Sequence, residues 1–417
     1  MFLFPDSGRS CPDSEFWNEV LRRAREPASR VAPGSGYDCL LAVAAAAIAG
    51  VDLLLLHDEQ VATPLAATTA DATERRTPPP TDLAPDGSAP PAVLLRRIEA
   101  SPSRVGILTS GSTGQPKCVW HSLPALLRDV RRGDHHRDDV WGFAYHPAHF
   151  AGLQVLLQAL THQNRLVELF RLPPPAIHRA IETHGVTHLS ATPTFFRRFL
   201  GCPGTHPGVR RVTTGGERST PELRRELARA FPNAKVLNIY ASTEAGTLLV
   251  AEGEHFRVPE RYADRIRVDD GQLMVHESLL GQVDDDSSLP TGPDGFFATG
   301  DLVDVVSPDP LTVRFVSRAN EIINVGGYKV APYDVEAQLL AMAEVAEAAV
   351  YGKANSVTGY LVAADVVLRP GATLDAGELR RRLAGSLPRH EQPRLVRFVD
   401  RVGQTATGKK SRGGSEA

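Results

Sequence analysis

Apolar positions along the chain fall into short runs separated by polar or helix-like stretches. The longest run, residues 39–51, is alanine-rich and bracketed by Asp38 and Asp52. It is too short to cross a bilayer, which needs about 20 apolar residues. It predicts a buried helix leading into a strand at 53–56. Residues 62–92 are rich in Thr, Pro, Ala and Asp without apolar periodicity, the pattern of a surface loop. Strands are then expected at 105–108, 140–145, 165–169, 188–190, 209–213 and 235–240. Between the last two, PELRRELARAF (221–231) reads as an amphipathic helix, with Thr220 as N-cap and Pro221 at the first helical position. Such alternation predicts an α/β fold with largely parallel sheets.

The pattern changes after about residue 250. Residues 258–275 and 295–316 read as short strands with tight turns, a small β-rich region. From Gly326-Gly327 to about residue 400 a compact α+β unit is expected, with helices at 332–341 and 376–387. The Gly/Ser/Lys-rich tail, 403–417, reads as mobile. The fold class expected is therefore α/β: a large N-terminal domain of parallel αβ-layered sheets with a small β-rich subdomain, then a small mobile α+β domain.

Composition narrows the partners. The 417 residues are 42% hydrophobic and 23% charged, with a net charge of −3, so no basic field exists to hold nucleic acid. Cys11, Cys39, Cys118 and Cys202 are scattered, with no CxxC pair and no Cys/His ligand spacing, so neither a disulfide framework nor a zinc site is expected. No basic segment followed by an apolar core opens the chain, so no signal peptide is read. A cytoplasmic protein acting on small molecules, away from membranes, is expected.

The segment ILTSGSTGQPK (107–117) carries the first chemistry. Gly111 and Gly114 allow close approach of backbone amides to an anion. Thr109, Ser110, Ser112 and Thr113 add hydroxyls, and Lys117 adds a charge. Alone, the segment is equally an ordinary polar turn. It is not a Walker loop, because no lysine directly follows the second glycine and no Ser or Thr follows Lys117. Read in order with TGGE (214–217), YASTE (240–244), TGD (299–301), RANEIINVGGYKVAPYDVE (318–336) and TGKKSR (407–412), it resembles the adenylate-forming superfamily. Acyl- and aryl-CoA ligases, peptide-synthetase adenylation domains and luciferases make up that superfamily.

The resemblance implies roles for these residues. Thr109 through Gly114, with Lys117, would grip the pyrophosphate half of ATP. Gly215, Gly216 and Glu217 would lie along adenine, near Tyr240, Ala241 and Ser242. Thr243 would contact the α-phosphate and Glu244 would ligate Mg²⁺. Asp301, helped by Arg318, would accept hydrogen bonds from the ribose hydroxyls. Lys409 would bridge the carboxylate and the α-phosphate. The chemistry accounts for these residue types: a carboxylate attacks the α-phosphorus of ATP, and both reactants are anions that lysine and Mg²⁺ neutralise. His149, in HPAHFAG (146–152), matches a histidine that flanks the acyl pocket. Phe150, Gly152, Ala241 and Gly246 would line that pocket, and Lys329 belongs to a GGxK-type loop of CoA ligases. His135, His136, His184 and His188 lack such context and read as surface or structural.

The sequence also departs from the pattern. Fewer than about 110 residues precede the phosphate loop, so this looks like an N-terminally shortened member. Trimming could open one side or create a homodimer surface. The implied division is 1–318 for ATP and acid binding, 319–320 as hinge with Asn320 in place of the usual Asp or Lys, and 321–417 as the lid carrying Lys409. No aspartate falls between Trp141 and Gln154, which disfavours amino-acid activation. Ala241, where glycine is usual, narrows the pocket toward a small aromatic acid. The expected product is an acyl-AMP, then a CoA thioester. Alternatives are transfer to a carrier protein, hydroxyl or amine, or a catalytically silent nucleotide-binding regulator.

Overall fold

The computed structural model describes residues 2–4, 9–57, 89–109, 117–283, 289–356 and 358–403. The chain divides into two compact units. The first comprises Met1–Gly216, Leu227–Val250 and His276–Phe297; the second comprises Glu217–Glu226, Ala251–Val275 and Ala298–Ala417.

In the first unit the alanine-rich run is the helix Gly36–Ala49. Ser35 caps it by accepting from the Asp38 amide, and Gly50 ends it in the left-handed conformation at φ 71°. Every side chain from Cys39 to Ile48 is buried, which explains why the run is apolar on all faces. The helix packs against Asp13–Arg23, Phe150–His162 and the strand Leu53–Leu55.

Two sheets flank this core. The eight-stranded sheet runs Gly246–Ala251, Lys235–Ser242, Arg211–Gly215, His188–Ala191, Val140–Phe143, Arg165–Glu168, Phe2–Phe4, Arg9–Cys11. From Lys235–Ser242 to Phe2–Phe4 its pairings are parallel. The five-stranded sheet runs Gln282–Val283, Lys117–Ser122, Arg104–Thr109, Leu53–Leu55, Arg30–Val31. In it, Arg104–Thr109 and Lys117–Ser122 pair antiparallel, with Thr109 opposite Lys117.

The second unit is mostly antiparallel. Its sheets are His255–Arg257, Leu311–Arg318, Phe296–Pro308, Gln272–His276, Ile266–Asp269, and a C-terminal set of Tyr328–Val330, Ile323–Val325, Gly359–Leu368, Val345–Asn355. Leu395–Phe398 adds to the latter in parallel. Helices Pro332–Leu340 and Ala376–Leu383 cover it, burying Val335, Leu339, Leu379 and Leu383 with Val350, Val362 and Val366. Gly326 and Gly327, at φ 59° and 93°, form the tight turn of the hairpin Ile323–Val330; two consecutive positive φ values are what a type I′ turn needs.

Several expectations need correction. The region around 295–316 is not short strands but two long ones, Phe296–Pro308 and Leu311–Arg318. Its alternation breaks where the consecutive Val305 and Val306 are both exposed. Pro91-Ala92, assigned to a loop, opens the helix Pro91–Glu99, where Pro91 sits at the tolerated first position. Of the two readings given for His136 and His188, surface or structural, the structural one holds. Both are buried beside Asp139, whose carboxylate also receives Arg210. Residues 58–88, Ser110 to Pro116 and the 404–417 tail, including Lys409, lie outside the described residues.

Candidate active site

The first unit brings Lys117 and Glu244 together. Lys117 opens the strand after the small-residue loop, and Glu244 lies in the turn between Lys235–Ser242 and Gly246–Ala251. The lysine Nζ stands 3.1 Å from Oε1 of Glu244, with 29% and 20% of the two side chains exposed. It also lies 5.9 Å from the Phe297 ring centre.

The turn that carries Glu244 is tied at each carbonyl by a different element. The Thr243 carbonyl accepts from Nε2 of His121 at 2.6 Å. The Glu244 carbonyl accepts from the Gly281 amide at 2.7 Å. The Ala245 carbonyl accepts from the Arg128 guanidinium at 3.2 Å. Ser242 closes the turn by accepting from the Ala245 amide at 3.1 Å. Thr243 and Glu244 side chains are thereby left partly exposed on a backbone held from three sides. Preorganisation of this kind keeps charged groups in place without reorganisation cost.

His121 is a residue that sequence reasoning missed. It is buried, and burial pushes its pKa down, with the Thr243 hydrogen bond opposing. Facing a carbonyl oxygen, Nε2 must carry a proton, so the neutral Nε2–H tautomer fits the site. Gly281 was missed too. A Cβ there would fall 2.7 Å from His121 and Val119 and 2.9 Å from the Trp120 carbonyl. Neither residue sits in a recognisable motif; the one available signal was an unassigned histidine four positions after Lys117.

Phe150, Gly246 and His121 meet beside this turn. The His121 and Phe150 rings are 5.7 Å apart, and a Cβ on Gly246 would lie 3.3 Å from Phe150. Ala241 packs against the same core. Gly152 serves helix packing: a Cβ would strike the His146 carbonyl at 2.5 Å. His149 is the N-cap position of Phe150–His162. Gly215 ends the strand Arg211–Gly215, and Gly216 follows with φ 80°. Tyr240, Ala241 and Ser242 are the last three residues of the strand Lys235–Ser242.

In the second unit Asp301 and Arg318 are cross-strand partners. Arg318 Nε lies 2.9 Å from Oδ1 of Asp301, and the aspartate is buried. Gly300, at φ 77°, bends the strand before it, and the Thr299 hydroxyl donates to the Leu273 carbonyl while accepting from the Asp301 amide. Glu217 also belongs to this unit. Lys329 is exposed on the Gly326-Gly327 hairpin. A carboxylate held as Asp301 is can accept only, which suits a diol.

The sequence profile of AMP-binding enzymes matches residues 43–275, and that of the AMP-binding enzyme C-terminal domain matches 334–409. The chain is 29% identical over 357 residues to 3-[(3aS,4S,7aS)-7a-methyl-1,5-dioxo-octahydro-1H-inden-4-yl]propanoyl:CoA ligase of Mycobacterium tuberculosis, covering 79% of this chain and 69% of that protein. It is 26% identical to 4-hydroxybutyrate–CoA ligase 1 of Metallosphaera sedula, covering 73% of this chain and 60% of the relative. Among solved structures, ATP-bound MatB from Rhodopseudomonas palustris superposes with a TM-score of 0.74 at 22% identity, covering 98% of this chain and 93% of that one. The AMP complex of o-succinylbenzoate coenzyme A synthetase from Bacillus subtilis gives 0.73 at 18%, covering 100% and 95%. These structural likenesses bear on the fold, a mixed α/β architecture shared with adenylate-forming enzymes. Among the described residues, no helix is long and apolar enough to cross a membrane.

Proposed function

The chain belongs to the AMP-binding enzyme family, and on that premise we propose that it activates a carboxylic acid with ATP and passes the acyl group to coenzyme A. The observation that carries this reading is the Lys117–Glu244 pair on a turn tethered at three successive carbonyls. Lys117 meets the departing pyrophosphate, and the Thr243 hydroxyl donates to the α-phosphate. Glu244 and Thr243 offer the hard oxygen donors that Mg²⁺ takes; Glu244 would hold the ion, whose chemistry when bound is to offset phosphate charge. Asp301 accepts from the ribose hydroxyls with Arg318 fixing its orientation. Lys409 neutralises the attacking carboxylate. Gly215, Gly216 and Glu217 lie along adenine. The acyl group rests near His149, Phe150, Ala241 and Gly246, and the extra methyl of Ala241 favours a small aromatic acid. Lys329 and its hairpin serve the CoA step after movement about Asn320.

A pyrophosphate-release screen over aryl, short-chain and long-chain acids tests the first half, with hydroxylamine as acyl trap. Faster release with long-chain acids than with benzoates sinks the aromatic assignment. Mass spectrometry with and without CoA tests the second half: a thioester supports it, and an ester, amide or carrier-bound acyl group replaces it. Lys409→Ala is expected to abolish adenylation while leaving ATP binding mostly intact. Undiminished acid-dependent release in that variant removes Lys409 from the mechanism.

A further inference from the structure

Three histidines converge in the first unit, and the chemistry above uses neither His57 nor His146. His57 follows the strand Leu53–Leu55 of the five-stranded sheet. His146 follows Val140–Phe143 of the eight-stranded sheet, and His149 precedes the helix Phe150–His162. All three lie past the C-terminal ends of parallel strands, where open α/β sheets present ligand-binding groups.

Their geometry is close. Ring centres are 4.0 Å apart for His57 and His146, 4.5 Å for His57 and His149, and 5.2 Å for His146 and His149. One ring nitrogen from each lies within 4.8 Å of the other two. His57 is buried, whereas His146 and His149 are partly exposed, so one side of the cluster is accessible. The edge of Phe170 closes on His146, with ring centres 5.3 Å apart. The Cys39 thiol donates to the Pro147 carbonyl and stands outside the set.

We propose that His57, His146 and His149 form a three-nitrogen site for a divalent transition metal of the zinc type, with a fourth position open to water or to an oxygen donor of a small molecule. Imidazoles are the ligands that zinc, copper and nickel share, and three of them with one open position is a coordination set zinc adopts. Zn–N bonds of about 2.0–2.1 Å put tetrahedral ligand atoms roughly 3.3 Å apart. Side-chain rotation must therefore draw the nitrogens inward by roughly 1.5 Å from their widest spacing. The Ala148 amide donates to Nδ1 of His146 over 3.2 Å, which marks that nitrogen as the one carrying the lone pair. Ligation through it displaces this long hydrogen bond. The site shares His149 with the acyl pocket proposed above, but its test needs neither ATP nor acid, so the two readings can fail separately.

The test is zinc titration of the full-length, chelator-stripped chain in competition with a chromophoric chelator, alongside cobalt titration followed in the visible region. One equivalent of zinc is expected to bind below micromolar concentration, and cobalt should give tetrahedral absorption bands. His57→Gln should weaken zinc binding by at least about tenfold and bleach the cobalt bands. His178→Gln, in a separate histidine pair of the same unit, should leave both unchanged. Absence of stoichiometric zinc binding in the wild type overturns the proposal, as does unaltered binding in His57→Gln. If His57→Gln fails to fold, His146→Gln and the zinc-dependent rise in wild-type melting temperature decide; no rise, or undiminished binding in His146→Gln, also overturns it.

Discussion

Two ion pairs of this molecule look alike on paper and are built differently. Lys117–Glu244 in the first unit spans 3.1 Å and Arg318–Asp301 in the second spans 2.9 Å. Glu244 sits on a turn whose position depends on His121, Gly281 and Arg128, each from elsewhere in the chain. Asp301 sits within a long strand, and the ladder itself sets it opposite Arg318. A turn held by remote tethers can be loosened from a distance. A strand position is fixed by many backbone bonds and depends little on any single neighbour. Neither pair need add much stability, since partly exposed ion pairs typically contribute about 0–1 kcal/mol; their significance is positional.

The comparison breaks first, and most visibly, at the carboxylates themselves. Glu244→Gln should lower kcat for acid-dependent pyrophosphate release by roughly 10²–10³-fold, the scale of losing one preorganised electrostatic group. Asp301→Asn should act on ATP binding instead. Loss of hydrogen bonds to a charged acceptor, at about 1.5–3 kcal/mol, gives an ATP KM raised roughly ten- to a hundredfold with kcat less affected. Reversal of this split, kcat for Asp301 and KM for Glu244, would undo the assignment of the two pairs.

A smaller effect sharpens the contrast between tether and ladder. His121→Phe keeps the aromatic volume beside Phe150 but removes the donor to the Thr243 carbonyl. A buried acceptor left unsatisfied costs about 1–3 kcal/mol. Part of that should appear as a roughly tenfold loss of kcat, with the ATP KM nearly unchanged. His121→Gln, which restores an N–H donor, should recover activity in part. Equal losses in both variants would point to packing rather than to the tether.

What the sequence made legible follows from the same physics. Parallel strands buried on both faces read as continuous apolar runs, so the strands from Leu53–Leu55 to Lys235–Ser242 were placed to within a few residues, except the antiparallel Lys117–Ser122, which was missed. Long antiparallel strands with one exposed face, such as Phe296–Pro308, broke into fragments because exposed Val305 and Val306 and intervening polar residues disrupt the alternation. Ordered motifs singled out Lys117, Thr243, Glu244 and Asp301 as candidates, because each belongs to a short local pattern. His121, Gly281 and Arg128 were not legible: their partners are backbone carbonyls, and a carbonyl leaves no trace in residue identity. The His57–His146–His149 cluster was not legible: His149 was singled out only for the acyl pocket, and His57 comes from the other sheet, far away in sequence.

The mildest perturbation, proton concentration, separates the two units again. Among the described residues, the histidines whose pKa is pushed down are His121, His136, His188 and His206, and burial is the first cause in each. All four belong to the first unit. His188, packed on Trp141, is pushed down to about 4. An unfolded chain takes up protons at these histidines below their ordinary value of 6.5 while the folded chain resists. Stability therefore rises with pH through this window and falls as pH drops from 6.5 toward 4, by at most about 1.4 kcal/mol per pH unit for one histidine. Among the described residues of the second unit no histidine is pushed down; the lowered carboxylates there are Asp375, Glu378 and Glu344, as Glu19 is in the first unit. Asp375 accepts from the Glu378 and Gly377 amides, Glu378 from Arg381 and Arg382, and Glu344 from Arg382. Their contribution is present above their ordinary values of 3.8 and 4.5 and is lost only as pH falls below them. Amide hydrogen exchange, corrected for intrinsic rates and followed peptide by peptide between pH 7 and 5, should show protection declining in the first unit and holding in the second. His188→Asn should flatten the decline. Parallel loss in both units would mean that acid sensitivity does not originate in the buried histidines.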